Sequence, residues 1–221
     1  MVFVFHKGIY LVELTGRKAR DLEELMEEIK TIDEKSIFYH MYHSLLRYHF
    51  VIPEYYNDFA YWLENILHEY ALAEKFANIQ IREYLNVEEI RKRLVELITV
   101  HLENQKSPTR VPTDGFHEFH FAKSICVVYP TKYSASNLEE FLECLRAVDI
   151  EVIFYHFFES WLRLGMVEGI YNDDFSRWIS ESLGHEKLAE KIASLDPLGY
   201  TLEDLKEELI RLTEEELRGD K

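Results

Sequence analysis

Glutamine, cysteine, proline and glycine are all scarce in this chain of 221 residues, and each shortage excludes something. Two cysteines, Cys126 and Cys144, are too few for a disulfide framework and lack metal-ligand spacing. They read as free, buried thiols of a cytoplasmic protein. Eight glycines, with no phosphate-cradling loop among them, argue against a P-loop or a dinucleotide-binding unit. Gly-x-Ser-x-Gly, His-Glu-x-x-His and Cys-x-x-Cys are missing as well, so no catalytic motif is recognisable and the balance tips away from an enzyme. No apolar run approaches the ~18–20 residues of a membrane span. Met1-Val-Phe-Val-Phe-His-Lys7 has no basic region of the kind that opens a signal peptide. Basic residues number 25 against 41 acidic, a net charge of −16, which works against nucleic acid and anionic membrane as partners. Glutamine occurs twice, at Gln80 and Gln105, beside abundant Glu, Lys and Arg, a skew typical of thermophile proteins.

Apolar residues, by contrast, make up 47% of the chain, with 14 Tyr and 14 Phe, so a sizeable core is available. Ser36-Ile-Phe-Tyr-His-Met-Tyr-His-Ser-Leu-Leu-Arg47 returns as Val152-Ile-Phe-Tyr-His-Phe-Phe-Glu-Ser-Trp-Leu-Arg163. Ile, Phe, Tyr, His, Ser, Leu and Arg agree in order, which marks a duplication. The first repeat unit is assigned to residues 1–105, a Pro- and Gly-bearing linker to 106–115, and the second to 116–221.

Each repeat shows the same series of signals. Ile9–Leu14 and Ile125–Tyr129 read as short strands, the second stopped by Pro130. Asp21-x-x-Glu24 and Asn137-x-x-Glu140 are capping boxes. Tyr56-Asn-Asp-Phe59 pairs with Tyr171-Asn-Asp-Asp-Phe175, as though one acid were inserted, with Asp58 and Asp174 at the N-caps. Gly184 signals a helix stop. The expected fold is mainly α: two tandem homologous helical units, each with about four or five helices and one short strand or arm. They are expected to pack as an intramolecular pseudo-dimer.

On a helical wheel His40, His43, Ser44 and Arg47 form one polar strip on an otherwise apolar helix. That strip must face solvent, a cavity or the other repeat's copy. His40-x-x-His43 and His156-x-x-Glu159 have the i,i+3 spacing with which helical bundles present metal ligands, and Asp58 and Asp174 offer carboxylates. A divalent metal is the cofactor this pattern would accept; otherwise none is expected. The competing and stronger reading is structural. In it His40 and His156 hydrogen-bond Asp58 and Asp174, and Arg47 and Arg163 pair with the same acids. Glu159 and Arg163 would form an i,i+4 pair. Tyr39, Trp62, Tyr155 and Trp178 are pocket candidates for a sugar or aromatic ligand, although helical spacing favours core positions.

The combination Phe-Tyr-His…Leu-Arg, Asn-Asp-Phe and Leu-Ala-Glu, at Phe38–His40, Leu46–Arg47, Asn57–Phe59 and Leu72–Glu74 and again in the second repeat, resembles an uncharacterised family. Its members are archaeal and thermophilic bacterial proteins with a duplicated layout, and the likeness spans nearly the whole chain. The resemblance implies the fold boundaries and no activity. A non-catalytic cytoplasmic interaction or scaffold protein, monomeric or homodimeric and with a protein partner, is therefore the leading expectation. A metal- or small-ligand-binding protein is the alternative.

Overall fold

Strand β1 runs over Phe3–Ala19 and strand β2 over Phe119–Ala135 in the computed structural model, 17 residues each. The structure describes residues 1–47, 55–80, 83–104, 117–160, 163, 171–196 and 198–219. The two strands pair with each other in a two-stranded sheet. Their register is antiparallel: Thr15 Oγ1 donates to the Phe121 carbonyl at 2.7 Å, and Lys18 Nζ reaches Glu118 at 2.8 Å. After β1 come α1 (Leu22–Thr31), α2 (Glu34–Tyr42), α3 (Ser44–Arg47), α4 (Asp58–Asn65), α5 (Tyr70–Ala77) and α6 (Val87–Asn104). After β2 come α7 (Leu138–Ala147) and α8 (Ile150–Phe154), which continues as a π turn over Tyr155–Glu159. Then follow α9 (Asp174–Trp178), continuing as a second π turn over Ile179–Leu183, α10 (Glu186–Ala193) and α11 (Leu202–Gly219).

Two expectations about this architecture are overturned. The strands are long and paired, not short arms, and the compact units are not the tandem repeats. One unit, called the first here, gathers Tyr10–Arg47 and Pro53–Ile125. The second gathers Met1–Ile9 and Cys126–Lys221. Each strand therefore gives its leading end to the helices of the repeat that lies elsewhere in sequence. The local pattern concealed this because strand pairing supplies hydrogen bonds wherever a partner runs alongside, whatever the side chains. β2 continues through Pro130 because both strands of a two-stranded sheet have a free edge, where a missing N–H costs nothing. The expected linker, 106–115, lies outside the described residues.

The helices start where their caps dictate. Asp21 accepts from the Glu24 N–H at 2.8 Å and Asn137 from the Glu140 N–H at 2.8 Å. Matching elements from β1/β2 through α5/α10 begin 116 residues apart, at 3 and 119, 22 and 138, 58 and 174, 70 and 186, whereas α6 and α11 begin 115 apart. The repeats thus align without an inserted acid: the length change falls after α5. Tyr55 corresponds to Tyr171, and the N-caps are Asn57 and Asp173, bonded to the N–H groups of Ala60 and Ser176 at 2.7 and 2.8 Å. Asp58 and Asp174 are the first residues inside their helices, which frees their carboxylates for other partners. Gly184 does take the left-handed conformation, φ 75°, that ends the second π turn, and the equivalent His68 is held at φ 59°. Of the thiols, Cys144 is buried but Cys126 only half so.

Aromatic packing fills both cores. In the second unit Phe3 and Phe5 of β1 lie against Phe141 and Phe175, with ring centroids 5.6–6.2 Å apart, and all four rings are buried. In the first unit Phe119 stacks on Phe59 at 4.9 Å and Phe121 sits 6.2 Å from it. Burying a side chain of this size contributes about 1.5–3 kcal/mol. The ends of the strands are thus core components of the units they enter.

Candidate functional site

The two histidines of the polar strip face strand β2, whereas Ser44 and Arg47 turn to Tyr56 and Asp58. In the first unit His40 Nδ1 lies 2.8 Å from Asp58 Oδ2, while its Nε2 accepts the backbone N–H of Ala122 on β2 at 2.9 Å. Those two bonds fix the neutral tautomer with the proton on Nδ1. Asp58 completes the arrangement by accepting from Arg47 Nη2 at 2.7 Å on its other oxygen. His40 is buried, ringed by Phe59, Phe119 and Phe121 at 4.7–5.9 Å. Burial pushes its pKa below the ordinary histidine value, against the pull of Asp58.

The second unit repeats the arrangement. His156 Nδ1 lies 2.7 Å from Asp174 Oδ2, and Nε2 accepts the backbone N–H of His6 on β1 at 2.8 Å. Arg163 Nη2 donates to Asp174 at 2.7 Å and to the Tyr155 carbonyl at 3.1 Å, and its guanidinium lies 3.8 Å from the centre of the Tyr155 ring. Burial again lowers the His156 pKa. Burial alone would raise Asp174, but the His156 hydrogen bond and the Arg163 charge outweigh it and hold the carboxyl below its usual range.

The remaining candidates divide the two units. His43 Nε2 stands 3.1 Å from Ser124 Oγ, with the Tyr10 and Tyr39 rings at 4.8 and 4.9 Å; burial and then Arg47 push its pKa down to about 4. The equivalent position holds Glu159, also buried, whose backbone carbonyl accepts from Arg163 Nε at 3.4 Å. At the positions equivalent to Ser124 and Tyr10, 116 residues away, stand Gly8 and Cys126. Trp62 and Trp178 are core residues whose indole N–H groups each find one backbone carbonyl, of His117 and Met1, both at 2.8 Å. Tyr39 and Tyr155 are buried beside the cluster histidines, their rings 5.0 Å from His40 and His156.

The family model for a family of unknown function (DUF5752) matches residues 1–217. The chain belongs to that family. The solved structure of OrfY from Thermoproteus tenax resembles this DUF5752 protein with a TM-score of 0.82 and 32% identity. The likeness covers 97% of this chain and 95% of that one. No curated protein matches the sequence.

Both ring nitrogens of His40 and of His156 are engaged, so neither offers a free lone pair while the strand is in place. Among the described residues no group of three or more His, Cys, Asp or Glu side chains is arranged to hold a metal ion. The residues that sequence reasoning missed are the strand positions that complete each cluster, Ala122 and His6, which act through backbone N–H groups and so leave no side-chain signal. A signal did exist nearby, in Phe3-x-Phe5-x-Lys7 and Phe119-x-Phe121-x-Lys123, which stand 116 residues apart like the helices they join.

Proposed function

We propose that this protein is a non-catalytic, cytoplasmic interaction protein, in which the His–Asp–Arg clusters serve as fasteners between strand and helices. The observation that carries the reading is the saturation of the cluster: His40 and His156 each spend one nitrogen on a carboxylate and the other on a strand N–H. A catalytic acid–base group or a metal ligand needs at least one of those positions open to its substrate or ion. The strands support an interaction role. β1 leaves Ile9, Leu11, Val12 and Leu14 exposed, and β2 leaves Ile125, Val127 and Val128 exposed, apolar side chains available to a partner. No helix among the described residues is long and apolar enough to cross a membrane.

Elemental analysis of protein purified without a histidine tag tests the reading, together with thermal melts in the presence of Fe, Mn, Zn or Ni. Less than about a tenth of an equivalent of bound metal and no upward shift are expected. One equivalent of tightly held metal, lost in a His40→Ala variant, would replace the fastener with a metal site.

A further inference from the structure

We propose that the helices of each unit form a groove that recognises an extended peptide of the pattern Phe-x-Phe-x-Lys. The chain contains two such grooves and two such peptides, with different sequences otherwise, held by the same contacts. Met1-Val-Phe-Val-Phe-His-Lys7 lies in the second unit and His117-Glu-Phe-His-Phe-Ala-Lys123 in the first.

Five positions of the peptide are read. A tryptophan N–H takes the carbonyl two residues before the first Phe: Trp178 on Met1 and Trp62 on His117, at 2.8 Å in both grooves. The first Phe enters between that indole and the cluster histidine. Phe3 lies 5.4 Å from Trp178 and 4.9 Å from His156, and Phe119 lies 5.7 Å from Trp62 and 4.7 Å from His40. The second Phe reaches the same histidine, at 6.2 Å in one groove and 5.9 Å in the other. The next backbone N–H donates to that histidine's Nε2. Finally the Lys meets the Asp that precedes the histidine-bearing helix: Lys7 to Asp149 at 2.6 Å, and Lys123 to Asp33 at 3.8 Å.

The positions between differ. The residue between the two Phe is Val4 or His120, exposed in both, and the one before Lys is His6 or Ala122. Main-chain bonds plus alternate side-chain pockets are how extended peptides are recognised elsewhere. Two ligands that share only the contacted positions define the pattern from within one molecule. This deepens the interaction reading by naming the segment recognised, and it rests on that reading.

The test uses the full chain with Phe3→Ala and Phe5→Ala, which empties one occupant and leaves its groove untouched. The variant should melt lower than the parent. Synthetic MVFVFHK and HEFHFAK should each raise its melting temperature, by roughly 5–10 °C at a hundredfold excess over Kd. A control peptide with both Phe replaced by Ala should not. A folded variant that ignores both peptides, or responds equally to the control, overturns the proposal; a response to MVFVFHK alone overturns the shared pattern. If the double variant gives no cooperative melt, Phe3→Ala alone is measured, with the same outcomes decisive. Stoichiometric metal in a protein that still binds the peptides would remove the fastener reading and leave the grooves standing.

Discussion

Tyr42 is the residue at which the two repeats disagree most tellingly. Its hydroxyl is buried and has no hydrogen-bond partner among the described residues, and burial drives its pKa far above the usual phenol range. The equivalent position, 116 residues on, is Phe158, equally buried and free of the problem. A buried hydroxyl without a partner costs about 1–3 kcal/mol, so Tyr42→Phe should stabilise the protein, by roughly 1 kcal/mol once the loss of a little packing is counted. Urea unfolding of the variant beside the parent measures it, and a lower midpoint would mean that the hydroxyl has a partner after all. His40 and His156 show the opposite economy, since every polar atom of each ring is used. Their carboxylate partners were legible in the sequence, from spacing and charge alone. Their strand partners were not, because a backbone N–H is offered by every residue but proline.

Between elements, each unit holds one ion pair whose acid and histidine stand exchanged in the other repeat. Glu69, just before α5, accepts from His101 on α6 at 2.9 Å; in the other repeat His185, just before α10, meets Glu216 on α11 at 3.0 Å. The four side chains are largely buried, so each pair is worth more than an exposed one, on the order of 1 kcal/mol. Glu69→His and His101→Glu each place two like groups together and should each destabilise by about that much. The double variant, which copies the other repeat's arrangement, should recover to within ~0.5 kcal/mol of the parent. Additive losses in a double-mutant cycle would show the exchange to be accidental. The π turns at Tyr155–Glu159 and Ile179–Leu183 have no such compensation to explain them: the first repeat ends its helices near the same places, at Tyr42 and Asn65, and periodicity in the sequence is alike in both.

For the whole molecule the buried histidines set an acid limit. His40, His43 and His156 all have pKa values depressed by burial, His43 to about 4. In the unfolded chain each would titrate near ~6.5. Below that pH the unfolded state binds protons that the folded state refuses. The histidines' contribution is therefore complete above ~6.5 and is lost as pH falls, for His43 down to about 4. The Asp174 carboxyl, held low, keeps its contribution through that interval. Stability measured by denaturant unfolding should be level from pH 8 to 7 and then fall by up to ~1.4 kcal/mol per pH unit for each histidine. A curve flat from pH 7 to 5 would contradict the burial of neutral imidazoles.

The sequence by itself determined the duplication, the capping boxes that start α1 and α7, the left-handed stop at Gly184 and the residues that gather around Asp58 and Asp174. All of these follow from contacts within about twenty residues, or from one segment written twice, and local physics decides them. Only the tertiary structure decided that Phe3–Lys7 belongs with the helices of the second repeat and Phe119–Lys123 with those of the first. A strand end rich in aromatic residues fits either set of helices equally well by composition. The choice between them is made by chain connectivity and strand pairing, across separations of 80 to 150 residues, for which no local pattern carries a signal.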